Sequence, residues 1–204
     1  LQGQWKSFRF QVPVYPLEIY RLRELPDGRI FGTAGAYEGN FLVDPTTGKS
    51  QHLGKIPLSH YATAVHDGLI YMSGYPSSPL YVYDPQKPWT TGTVVDQRRI
   101  EEKDPSANPR CLLLLGDKKL AGTHKMYAAA VGANGQIYFG GRWMRDGAAG
   151  GLAWYDPKTG QAAGLWQPFS NYQITHIAAI EGGRRLVLST LAVADPLLGK
   201  PKPT

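Results

Sequence analysis

Apolar and polar residues alternate along this chain in short runs, and nearly every run is closed by Gly, Asp or Pro. The runs are rich in β-branched and aromatic side chains and carry few helical periods, so they predict short strands. The runs also recur as sets. Asp27-Gly28-Arg29-Ile30-Phe31 leads to Phe41-Leu42-Val43-Asp44-Pro45. Asp67-Gly68-Leu69-Ile70-Tyr71 leads to Leu80-Tyr81-Val82-Tyr83-Asp84-Pro85. Asn134-Gly135-Gln136-Ile137-Tyr138 leads to Leu152-Ala153-Trp154-Tyr155-Asp156-Pro157. A fourth set opens with Gly182-Gly183-Arg184-Arg185-Leu186-Val187. Each reads as strand, tight Asp-Gly or Asn-Gly turn, strand, loop, aromatic strand, Asp-Pro turn.

The aligned positions Ile30, Ile70, Ile137 and Leu186 are 40, 67 and 49 residues apart. Repeats of about 40 to 50 residues arranged as four short strands are the mark of radial blades. The expected fold is all-β, a β-propeller of four-stranded antiparallel blades. It is expected as a partial ring of about four blades, roughly seven in the whole by analogy with the kelch-type repeats that it resembles. The blades divide as a remnant at 1–16, then 17–57, 58–122 with an insertion, 123–172, and an incomplete blade at 173–204. The chain opens on Leu1 rather than Met, which suits a piece of a longer ring. The insertion lies within Gln86 to Asn108 and holds the mixed-charge run Asp96 to Asp104. Such a run is a solvated rim excursion or, on the sharper reading, a lid or a partner-binding segment.

Composition narrows the partners. The chain has a formal net charge of +6, with its basic residues scattered and no basic tail. That disfavours nucleic acid and suits an anionic small ligand or simple solubility. Cys111 is alone, so no intrachain disulfide forms. The longest apolar run, Cys111 to Leu115, is too short to span a bilayer.

Candidate chemistry comes from counting ten residues back from each aligned Ile or Leu. The count gives Tyr20, His60, Tyr127 and His176, expected at one height on the innermost strands around the channel. His124 and Lys125 precede Tyr127. The loop after the second strand of a blade lies on the same rim, adding Arg142 and Arg145 in the third blade and Tyr75 in the second. A tyrosine or histidine beside a uronate can take the proton α to the carboxylate, and an arginine can neutralise that carboxylate. On this reading His60, Tyr127 and Arg142 are catalytic. Tyr20, Tyr75, His124, Lys125, Arg145 and His176 bind substrate. The bland alternative is that the repeated Tyr and His positions only fill the taper of the inner strands. No cofactor is expected, although His60, His124 and His176 offer imidazoles for a channel metal.

Ile137-Tyr138-Phe139-Gly140-Gly141 with Trp154-Tyr155-Asp156-Pro157-Lys158-Thr159-Gly160 resembles a kelch-type repeat. The His, Tyr and Arg set is similar to that of seven-bladed polysaccharide lyases acting on uronates, such as ulvan lyases. That resemblance implies His60 and Tyr127 as the catalytic pair and Arg142 as neutraliser. It implies an acidic oligosaccharide or polysaccharide as partner, and a secreted or periplasmic protein. The alternative is a non-catalytic kelch-like interaction scaffold.

Overall fold

A computed structural model describes residues 19–34, 39–54, 56, 59–90, 106–142, 150–169 and 171–192, with the side chains of residues 59 and 60 outside the description. The early blade remnant, the mixed-charge run and Arg145 therefore lie outside the described residues. The strands are β1 (Ile19–Glu24), β2 (Ile30–Ala34), β3 (Asn40–Val43), β4 (Ser50–Gly54), β5 (Ser59–His66), β6 (Leu69–Tyr75), β7 (Pro79–Tyr83) and β8 (Arg110–Leu114). They continue as β9 (Lys125–Val131), β10 (Ile137–Arg142), β11 (Leu152–Asp156), β12 (Gln161–Leu165), β13 (Tyr172–Ile180) and β14 (Arg185–Ala192). A 3-10 turn, Glu181–Gly183, joins the last two.

The strands form three four-stranded antiparallel sheets, β1–β4, β5–β8 and β9–β12, and a two-stranded sheet, β13–β14. The inner strands β1, β5, β9 and β13 lie next to one another in that order, so the sheets are successive blades of an unclosed β-propeller.

The repeated turn residues explain the meander. Asp67 and Gly68 both take positive φ, 49° and 75°, the twist-matched geometry of a two-residue hairpin. The first and third blades use a wider turn, closed by Leu25 N–H donating to Arg29 O at 2.8 Å and Gly132 N–H donating to Gln136 O at 2.9 Å. The Asp-Pro turns work through the aspartate side chain. Asp44, Asp84 and Asp156 each accept a backbone N–H two residues on, from Thr46, Gln86 and Lys158.

The core lies in the seams between blades. Strand alternation sends Ile70, Met72 and Tyr81 into the first seam with Phe31 and Leu42. It sends Tyr71, Leu80 and Val82 into the second seam with Ile137, Phe139 and Tyr155. The second blade is thus covered on both faces, and every residue of β7 is buried. By contrast β14 exposes Val187 and Leu191. Gly140 and Gly141 lie inside β10 rather than ending it. A Cβ on Gly140 would stand 2.9 Å from Ile174 Cβ, and one on Gly141 would meet the Lys125 carbonyl. Backbone approach, more than loop freedom, is what these glycines supply.

Candidate functional site

Pairing of each inner strand with its neighbour skips one residue near the start of the strand. Ile19 faces Ala34 and Arg21 faces Thr33, which leaves Tyr20. His60 faces Gly74 and Ala62 faces Ser73, which leaves Tyr61. Met126 faces Gly141 and Ala128 faces Gly140, which leaves Tyr127. Ile174 faces Thr190 and His176 faces Ser189, which leaves Thr175. Each blade therefore carries a β-bulge at the same height, a device that re-aims a side chain.

This register corrects the expected set. The residues sharing one height are Tyr20, Tyr61, Tyr127 and Thr175, so His60 and His176 are each one residue out of step. The fixed count of ten assumed equal turns. The hairpin of the second blade, where Val65 pairs Ile70, is one residue shorter than that of the first, where Glu24 pairs Ile30. The hairpin carrying the 3-10 turn, where Ala179 pairs Leu186, is one residue longer. Tyr61 was missed for that reason. The signal was present, since a bare Asp-Gly between strand residues is a two-residue turn whereas Pro26-Asp27-Gly28 is not.

The three bulged tyrosines meet. The Tyr20 and Tyr61 rings are stacked with centroids 4.8 Å apart and planes at 25°. Tyr61 and Tyr127 are 5.9 Å apart and tilted. Two cations lie against this row. Lys125 Nζ sits 4.0 Å from the Tyr61 ring centroid and 5.1 Å from that of Tyr127. Arg142 Cζ is 5.8 Å from the Tyr127 centroid, and Arg142 closes β10 opposite Lys125 instead of standing in a loop. Ammonium and guanidinium groups over ring faces are held by the ring quadrupole.

Two further arginines tie the inner strands together. Arg21 donates from Nη1 to Tyr20 O at 2.8 Å and from Nη2 to Tyr127 O at 2.9 Å, linking the first blade to the third. Arg23 Nε donates to Thr63 O at 2.8 Å. Burial first, and the neighbouring Arg21 charge second, lower the Arg23 guanidinium below its ordinary value. Among the described residues, no carboxylate lies within ion-pair distance of Lys125, Arg21 or Arg23.

Tyr75, at the end of β6, meets His124 edge-on at 5.0 Å. Ser77 N–H donates to His124 Nδ1 at 3.3 Å, so in the neutral ring the proton sits on Nε2. His124 N–H in turn donates to Arg142 O at 2.9 Å, which fixes this pair beside the cations. His176 stands apart, exposed on β13 with its Nδ1 3.3 Å from Thr175 Oγ1. The His60 side chain and Arg145 lie outside the described residues. Among the described residues, no three His, Cys, Asp or Glu side chains gather as a metal site.

The arrangement offers flat aromatic faces and positive charge at the bulge end of the inner strands. It can stack a ring and neutralise an anion.

No known protein family and no curated protein matches the sequence. Solved structures do resemble it. A catalytically inactive virginiamycin B lyase from Staphylococcus aureus, crystallised with quinupristin, aligns with a TM-score of 0.57 and 10% identity over 90% of this chain. The tricorn protease aligns with a TM-score of 0.52 and 15% identity over 85% of this chain. The chain spans 58% of the lyase's length and 15% of the protease's. The fold is a β-propeller. At such identities the likeness extends to the scaffold alone. Among the described residues, no helix is long and apolar enough to cross a membrane.

Proposed function

We propose that this propeller binds an acidic carbohydrate at the tyrosine-lined end of its inner strands and cleaves it as a uronate lyase. The observation that carries the reading is Lys125, whose ammonium lies over Tyr61 and Tyr127 with no carboxylate partner among the described residues. A sugar ring stacks on the tyrosine faces, and its carboxylate draws on Lys125 and Arg142. The ligand class continues the similarity to uronate-cleaving propellers drawn from the residue types.

In the lyase step, a base removes the proton α to the uronate carboxylate. The electron pair forms a ring double bond as the bond to the leaving-group oxygen breaks, and that oxygen takes a proton from the acid. Tyr127 is the acid–base tyrosine, and Arg142 neutralises the carboxylate while negative charge develops on it; His60, one strand position from the bulged Tyr61, enters as the partner of Tyr127 through the similarity to uronate-cleaving propellers alone. Tyr20, Tyr61 and Lys125 hold the sugar.

The experiment offers uronate-containing polysaccharides to the protein and follows both binding and the absorbance of unsaturated uronate ends. Tyr127→Phe should abolish elimination and preserve binding, since only a hydroxyl is lost. Arg142→Lys should slow turnover, because a point charge replaces a planar fork. Lys125→Met should weaken binding about tenfold or more, the scale of a lost charged hydrogen bond. Binding without unsaturated product in the wild type leaves the non-catalytic scaffold as the function. Failure of every acidic glycan to bind overturns the site reading altogether.

A further inference from the structure

We infer a second ligand site, for a small carboxylate carried on an apolar body, in the cleft between the second and third blades. This site is independent of the bulge end. The cleft, open to solvent on one side, has a volume of about 390 Å³, within the range of small-molecule sites.

Both seams hold a cleft, about 310 Å³ beside the hairpins of the first and about 390 Å³ in the second, but they differ in what stands beside the aromatic pair. In the first seam Phe31 and Tyr83 face each other with centroids 6.1 Å apart. Strand register makes Tyr71 and Tyr155 their equivalents in the second, also 6.1 Å apart. In the first seam Trp89 packs edge-on against Tyr83 at 4.9 Å. Among the described residues no ring does so in the second seam, and the space beside the pair is open, walled by Leu69, Val82 and Leu112.

The chemistry of the lining is as specific as its shape. Phe31 has become Tyr71, so two phenols instead of one reach the cleft, and Arg110 joins them from β8. Neither phenol nor the Arg110 guanidinium has a hydrogen-bond or ion-pair partner among the described residues. Asp84, also on the cleft, is answered by Lys87 at 2.9 Å and by Gln86 N–H. Burial pushes the Tyr71 phenol up to about 12 and raises Tyr155 as well, while the Arg110 charge pulls both back. Both phenols are therefore protonated donors at neutral pH. Two O–H donors beside a guanidinium fork match the two oxygens of a carboxylate, and the leucine and valine walls take the hydrocarbon attached to it.

The test titrates the full chain with linear carboxylates from butanoate to decanoate, followed by calorimetry. Affinity should rise with chain length until the cleft is filled, and octanamide should bind at least tenfold more weakly than octanoate. Arg110→Gln, at an exposed strand position, should cost octanoate at least tenfold, and Leu112→Trp, which fills the cleft, should abolish its binding. Lys125→Met should leave octanoate unaffected, which separates this site from the bulge end. Absence of saturable binding by every carboxylate overturns the inference. So does octanamide matching octanoate, or an unchanged affinity in a folded Arg110→Gln.

Discussion

The two ends of the inner strands are built from the same repeats yet use their polar residues in opposite ways. At the hairpin end, side chains of the turns find partners close by in sequence. Arg29 Nη2 lies 2.7 Å from Asp27 Oδ2, His66 Nε2 lies 3.4 Å from Asp67, and Arg185 lies 3.0 Å from Glu181. Asn134 and Gln136 bond to each other, and Tyr138 donates to Gln136. At the bulge end, Lys125 rests on aromatic rings and Arg21 on backbone carbonyls. Polar groups spent on turn geometry have nothing left to offer a ligand, whereas a cation held only by ring faces can exchange them for an anion. The repeats build the scaffold at one end and the recognition chemistry at the other.

The sharpest way to break this contrast is at the glycines. Gly141→Ala, at the bulge end, drives a methyl against the Lys125 carbonyl and to 2.8 Å from Met126 Cα. Backbone cannot yield as a side-chain tip does, so a loss of about 3 kcal/mol is expected in chemical denaturation. The tyrosine row should open with it, seen as altered near-ultraviolet circular dichroism. Next in size is Tyr61→Ala, which removes a ring stacked on Tyr20 and covered by Lys125. It should cost about 1–2 kcal/mol of stability and most of the acidic-glycan affinity, with Tyr61→Phe close to wild type in both. At the hairpin end, Gly28→Ala meets no atom within 4 Å and is opposed only by its φ of +83°. About 1 kcal/mol and no change in ligand binding is expected there. Should Gly28→Ala prove as damaging as Gly141→Ala, the two ends do not differ as described.

The smallest effect is with pH. Hydrogen bonds from Arg29, Thr47 and Lys87 hold the carboxyls of Asp27, Asp44 and Asp84 respectively below their ordinary value. A carboxylate lowered on folding stabilises the fold above its unfolded value and ceases to as pH falls through its folded one. Stability should therefore be flat above about pH 5 and decline below about pH 4. Asp27 and Asp84 contribute a few tenths of a kcal/mol each, since both are solvent-screened. Asp27→Asn should flatten part of that decline in denaturation curves taken across the acid range, without moving glycan binding.

Much of this molecule is legible in single residues. Asp67-Gly68 specifies its hairpin because both positions take positive φ, and Asp44, Asp84 and Asp156 specify their turns through their own side-chain oxygens. The placement of Tyr127, Lys125 and Arg142 in one group also follows from the repeat, since a bulge and the end of the next strand share a rim. Tyr61 does not follow, because a count across a turn inherits every change in the length of that turn. Two hairpins differ from the others by one residue in opposite senses, and each displaced the expected position by one.

The blades follow from local sequence: alternation fixes which strand faces enter a seam, and turn chemistry fixes where the chain reverses. Both are short-range effects, complete within a few residues. What those blades present is set by packing between them. Which residue each bulge skips depends on pairing between strands, and the meeting of Tyr20, Tyr61 and Tyr127 depends on three separate blades lying side by side. The cleft at Tyr71 and Tyr155 depends on two blades lying side by side, each supplying one of its phenols. Contacts between segments far apart in sequence are set by how the blades pack around a common axis, and no local pattern encodes that distance.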